Sequence, residues 1–128
     1  RVLAEAMGLA TPGSDDDRRR EAAIAMSDRL NAVIVLKGHG TVVASGSDVW
    51  TSDEGGVELA IPGSGDVLTG VLAGILAQLA QSDEAVDVAA AARLAVTTHA
   101  RAGACWRRER GTRGLLAEEL ADRIGLCP

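Results

Sequence analysis

Gly63-Ser64-Gly65-Asp66 opens directly into the apolar run Val67-Leu68-Thr69-Gly70-Val71-Leu72, and this junction constrains the fold more than any other stretch. Two glycines around a serine let the backbone turn sharply and leave its amide hydrogens uncovered. A helix beginning near Asp66 adds unpaired amides and the positive end of a helix dipole. Together they predict a pocket for an anion, typically a phosphate, with a carboxylate beside it. That is the arrangement phosphoryl transfer requires. The same residues also fit a plain helix capped by aspartate after a glycine-rich loop. Val67, Leu68, Val71, Leu72, Ile75, Leu76 and Leu79 cover nearly the whole helix circumference, which predicts a buried helix. Gly70 and Gly74 each cost roughly 1 kcal/mol of helix propensity against alanine, so a closely packed neighbour is expected.

At 128 residues the chain is at most one domain. It has no Phe and no Tyr, only Trp50 and Trp106, so Ala, Val, Leu and Ile must build the core. The two tryptophans read as core or interface anchors. A formal charge of −5 without a dense basic run argues against nucleic acid as a partner. Arg18-Arg19-Arg20 directly follows Asp15-Asp16-Asp17 and reads as a solvated helix face. Cys105 and Cys127 lack metal-ligand spacing, and one pair is no disulfide framework. No signal peptide or membrane span is visible, and with the cysteine usage this points to a reducing cytoplasm.

Along the chain, Val2 to Leu9 reads as a short helical tail and Thr11-Pro12-Gly13-Ser14 as a turn. Ser14 is the expected N-cap of a helix over 15–30, with Ala23, Met26 and Leu30 as its inward stripe. The apolar, β-branched run 32–36 predicts a strand buried on both faces of a parallel sheet. A second strand is expected over 41–44 and a third over 48–51; so short a turn makes the first pair antiparallel and the sheet mixed. Residues 52–61 contain Gly55-Gly56 and read as a mobile loop. Helices are expected at about 66–81, 84–107 and 115–124, the middle one presenting Val88, Ala92, Ala95, His99, Ala102 and Trp106 on one face.

Lys37-Gly38-His39-Gly40-Thr41 closes the first strand. A tight turn with exposed amides and a lysine can hold a nucleotide; it also fits a hairpin turn with a solvent-facing lysine.

Taken in order, several segments resemble the NAD(P)H-hydrate dehydratases, members of the ribokinase-like superfamily. They are Val33-Ile34-Val35-Leu36-Lys37-Gly38-His39-Gly40-Thr41-Val42-Val43, then Gly63-Ser64-Gly65-Asp66-Val67-Leu68-Thr69-Gly70 with the helix to Gln78. Thr98-His99-Ala100-Arg101-Ala102-Gly103 and Arg113-Gly114-Leu115-Leu116-Ala117 follow at similar spacing. The resemblance runs from about Ala22 to Ile124 and covers the C-terminal half of the family's domain. It implies an α/β fold, the ribokinase-like three-layer α/β/α architecture with a mixed, mostly parallel sheet. Residues 1–128 would then be the C-terminal nucleotide-binding half of a single domain, either a fragment or a truncated relative.

The resemblance further implies ADP- or ATP-dependent dehydration of hydrated NADH or NADPH, with Mg2+. It assigns nucleotide binding to Lys37, Gly38, His39, Gly40, Thr41, Gly63, Ser64 and Gly65, and catalysis to Asp66, the base on the hydroxyl that attacks the terminal phosphate. No protein metal site is implied. An open strand edge predicts self-association or association with the N-terminal half. Three positions depart from the pattern. Pro62 stands where the family has a glycine and removes one amide; Ile61 replaces a small polar residue; Glu58 adds charge where glycine is usual. Two alternatives remain at this level: a ribokinase-like kinase of vitamin precursors, and a nucleotide-binding module without catalysis. His99 reads as a packed, hydrogen-bonded histidine. Arg107, Arg108 and Arg110 suit a helix C-terminus without any phosphate role.

Overall fold

The computed structural model describes Gly8 and residues 15–127. The expected N-terminal tail helix, the turn after it and Ser14 therefore lie outside the described residues, Gly8 excepted. The chain divides into two compact units, Arg1–Thr51 and Ser52–Pro128.

In the first unit, helix α1 spans Asp16–Leu30 and is capped by Asp15, whose carboxylate accepts the Asp17 N–H. Asp16 and Asp17 occupy the first turn, where the dipole favours negative charge. The helix ends at Asn31, left-handed at φ 47°, whose N–H returns to the Ser27 carbonyl. Its buried face is Arg19, Ala23, Met26 and Ser27, a spacing that keeps one side of a 3.6-residue helix against the sheet. Leu30, expected on that stripe, is exposed.

Three strands follow, β1 (Ile34–Leu36), β2 (Val42–Ser45) and β3 (Asp48–Thr51), in the order β1-β2-β3. Val35 pairs with Val43, and Val43 with Trp50, both ladders antiparallel. Ala23, Val42 and Ala44 form the core of this unit, with Ile34, Leu36 and Val49 packed around them. The strand buried on both sides is therefore β2, not the run 32–36. Within that run Ala32 is exposed and residues 33–36 are half-buried, because, among the described residues, β1 pairs along one edge only. Among those residues, too, the sheet is antiparallel throughout.

In the second unit, a 3-10 turn (Val57–Leu59) precedes helices α2 (Ser64–Leu79), α3 (Val88–Arg110) and α4 (Ala117–Asp122). Asp87 caps α3 by accepting the Ala90 N–H at 2.9 Å, which starts this helix later than expected. Glu119 reaches back to the Leu116 N–H at 3.1 Å and fixes the start of α4. Ala102, Trp106, Leu115 and Leu120 make the core, with Leu59, Ile61, Val67 and Ile124 against it. The α3 stripe is buried as expected from Ala92 to Trp106, while Val88 is exposed.

Two expectations are corrected here. Helix α2 is not buried all round: Ser64 and Leu68 are its buried residues, Leu79 is exposed, and a Cβ on Gly70 or Gly74 would meet nothing within 4 Å. Apolar periodicity reports what a helix could bury, and here α3 and α4 cover one side of it. Cys105 and Cys127 form a disulfide with Cα atoms 6.3 Å apart, which ties the end of the chain to α3. Its ordinary span follows from α4 turning the chain back along α3.

The stretch 52–61 is held rather than loose. Arg101 clasps the Glu54 carboxylate with Nε at 3.1 Å, and Leu59 packs where a side chain on Gly103 would come within 2.6 Å of it. Glu58 is 1% exposed, and its carboxylate lies 3.9 Å from the Arg107 guanidinium with no hydrogen bond among the described residues.

Candidate active site

Gly63 caps α2 with φ 82°, a conformation that side chains resist. A Cβ there would also fall 2.8 Å from the Ala117 Cβ, so glycine is required twice over. The first turn of α2 receives no side-chain cap. Ser64 N–H bonds to the Ile61 carbonyl at 3.3 Å, and the N–H groups of Asp66 and Val67 both bond to Gly63 O at 3.0 Å. The Gly65 N–H is left without a carbonyl among the described residues. An open amide at a helix start is a donor available to an anion.

Ser64 is buried, and it is held from α3. His99 Nε2 lies 3.0 Å from the Ser64 carbonyl and 3.2 Å from its hydroxyl. A carbonyl can only accept, so the hydrogen of the imidazole is assigned to Nε2. The Ser64 hydroxyl therefore cannot give its own hydrogen to this nitrogen and must direct it elsewhere. The expectation of a packed, hydrogen-bonded His99 fits this placement.

Asp66 sits three residues inside the cap, on the exposed side of the first turn. Its side chain makes no capping bond and no ion pair among the described residues. The plain capping role open to Asp66 from the sequence is thus not the one it plays, because Gly63 holds the cap position. What remains is an unencumbered carboxylate beside an open amide at the positive end of a sixteen-residue helix. Such a group can accept a proton from a hydroxyl held against a phosphate. Pro62 is exposed, and Thr69 Oγ1 donates to the Gly65 carbonyl at 2.9 Å.

Lys37-Gly38-His39-Gly40-Thr41 belongs to the first unit. Lys37, Gly38 and His39 are exposed; Gly40 and Thr41 are half-buried. Gly38 has φ 150° and Gly40 φ 63°, and Thr41 Oγ1 donates to Gly38 O at 3.3 Å. Beneath the turn lies a residue that the sequence reading placed in solvent. Arg19 is 7% exposed and donates from Nη1 to the His39 carbonyl and from Nη2 to Leu36 O at 3.4 Å. Arg18 and Arg20 are exposed, as the acidic-basic run suggests. The signal for Arg19 was its place one turn before Ala23, on the same helical face as Met26.

Among the described residues, no three His, Cys, Asp or Glu side chains converge as a metal ion would need. No described helix is long and apolar enough to cross a membrane.

The family model described as NAD(P)H-hydrate dehydratase matches residues 3–125. A bifunctional NAD(P)H-hydrate repair enzyme of Vibrio cholerae is 38% identical over 109 residues, 84% of this chain and 21% of that protein. The ADP-dependent (S)-NAD(P)H-hydrate dehydratase of Bacillus subtilis is 37% identical over 106 residues, covering 82% of this chain and 36% of the relative. The solved structure of the ADP/ATP-dependent dehydratase from B. subtilis, co-crystallised with ATP and Mg2+, superposes with a TM-score of 0.74 at 36% identity. That superposition covers 84% of this chain and 37% of the solved one. The chain thus spans well under half the length of the relatives it matches, while nearly all of it lies within the family pattern. On these matches and the motifs above, the chain belongs to the NAD(P)H-hydrate dehydratase family.

Proposed function

We propose that this chain carries the nucleotide-binding and catalytic elements of an ADP- or ATP-dependent enzyme that removes water from hydrated NADH or NADPH. The observation that carries the reading is Asp66: exposed, unpaired, and set beside the open Gly65 N–H at the start of α2. The activities of the chain's relatives support a dehydratase over a vitamin-precursor kinase. An unencumbered carboxylate at this position supports catalysis over simple nucleotide binding.

In this mechanism Asp66 accepts the proton of the ring hydroxyl while the hydroxyl oxygen bonds to the terminal phosphorus. The phosphorus–oxygen bond to the nucleotide breaks, and the ring oxygen becomes a phosphate ester. Loss of that phosphate together with a ring proton restores the double bond of the reduced nicotinamide. Gly65 N–H and the helix dipole stabilise the charge that builds on the phosphate, and positioning supplies much of the rest. Gly63, Ser64 and Gly65 hold phosphate oxygens; Lys37, Gly38, His39, Gly40 and Thr41 take the adenosine part. Mg2+ fits as the nucleotide's own counter-ion, which usually keeps water and phosphate as its ligands.

The same reading includes the three-layer ribokinase-like domain with a mixed, mostly parallel sheet, of which residues 1–128 are the C-terminal half. It includes association with an N-terminal half, or self-association, along the open β1 edge. A cytoplasmic location also belongs to it, and there Cys105 and Cys127 would stand as thiols. Calorimetric titration with ADP, ATP and NADPH tests the nucleotide assignment. ADP or ATP should bind more tightly than NADPH; equal or tighter NADPH binding would overturn it.

A further inference from the structure

Arginine on a helix facing a sheet is costly to bury unless its donors are used. Arg19 uses them on one target, the carbonyls that flank the turn after β1. Nη1 holds the His39 carbonyl and Nη2 the Leu36 carbonyl, with Asp16 Oδ1 3.6 Å away as a partial counter-charge. Neither bond supports a strand ladder. Both fix the tilt of a peptide plane.

The consequence follows from peptide geometry. In a planar trans peptide the C=O and the next N–H point in opposite directions. With its carbonyl drawn to Arg19, the His39–Gly40 peptide directs the Gly40 N–H away from the guanidinium. The Leu36–Lys37 peptide is set in the same sense. Gly38 completes the arrangement: a Cβ there would come within 2.8 Å of Arg19 Nη2, and its φ of 150° disfavours a side chain. We infer that Arg19 is a positioning residue for nucleotide binding, setting the Lys37–Thr41 turn with carbonyls inward and the Gly40 amide outward as a donor. The ligand it suits is rich in acceptors, as the adenosine and phosphates of a nucleotide are. The inference rests on the nucleotide role given to this turn under Proposed function.

Three single variants of the full chain test it by calorimetry with ADP: Arg19→Met, Arg19→Lys and Gly38→Ala. Arg19→Met and Gly38→Ala should each weaken ADP by about tenfold or more. Turnover at saturating nucleotide in Arg19→Met should stay within about twofold, since Arg19 does not touch the reacting atoms. Arg19→Lys should not rescue binding, because an ammonium lacks the planar fork that reaches both carbonyls. The Gly40 amide resonance should move on ADP addition in the parent chain and stay still in Arg19→Met. Circular dichroism identifies any variant that fails to fold; if Arg19→Met does, Arg19→Lys carries the test. ADP binding within about twofold of the parent in either folded variant overturns the inference and leaves the dehydratase reading standing. A parent chain that binds neither ADP nor ATP overturns both, and is recognised by its own flat titration.

Discussion

His99 Nε2 bonds to the backbone carbonyl of Ser64 at 3.0 Å, so a helix thirty-five residues downstream fixes the first turn of the helix that carries Asp66. Both groups are buried, and the Ser64 carbonyl keeps its helical bond from the Leu68 N–H, so losing the imidazole removes one hydrogen bond worth about 0.5–1.5 kcal/mol. His99→Leu should lower stability by that amount in denaturant unfolding. His99→Gln keeps a donor on a side chain of similar reach and should recover part of the loss. Equal unfolding midpoints for parent and His99→Leu would show that the contact contributes nothing.

If Asp66 is the base proposed above, then in a protein that also carries the N-terminal half Asp66→Asn should abolish most turnover of hydrated NADPH while nucleotide affinity stays within about tenfold, or roughly 1.4 kcal/mol. Thermal stability should hardly change, since the Asp66 side chain makes no cap bond to lose. Kinetics, calorimetry and a melting curve on the same preparation separate the three effects. Turnover near that of the parent would remove Asp66 from the chemistry.

Gly70→Ala and Gly74→Ala should each stabilise this chain by up to about 1 kcal/mol, because helix propensity improves and an added Cβ meets open space. A loss of stability in either variant would mean that another element, or another copy, packs on this face. Urea unfolding of the two variants decides it.

Reducing the Cys105–Cys127 bond should lower stability by about 2–4 kcal/mol, as opening a loop of this length restores freedom to the unfolded chain. Melting with and without dithiothreitol, with Cys127→Ser as a control, measures the change. The Cys127→Ser variant should be insensitive to the reductant.

Local signals carried well from sequence to structure where one element's own pattern decides the outcome. The strand over 48–51 and the buried α3 stripe through Ala92, Ala95, His99 and Trp106 were legible in this way. Gly63 to Asp66 was legible as a helix start, though not that Gly63, rather than Asp66, takes the cap. What stayed hidden depends on partners distant in sequence. Arg19 lies in a run of three acids followed by three bases whose composition says solvent, and only its helical phase says otherwise. Cys105 and Cys127 meet because α4 reverses the chain, which no spacing rule contains. The apolar circumference of α2 shows capacity for burial, while the actual cover depends on what stands beside it.

Helix α3 presents His99 to Ser64, Arg101 to Glu54, Gly103 to Leu59 and Arg107 to Glu58 within little more than two turns. These contacts share one axis, so they cannot be retuned separately. A single residue inserted between His99 and Arg107 would swing every later contact by about 100° around that axis. Substitutions in this span can be absorbed one at a time. Changes of length cannot, and drift in α3 should therefore run through side-chain exchange at fixed phase, with insertions and deletions displaced to the turns on either side.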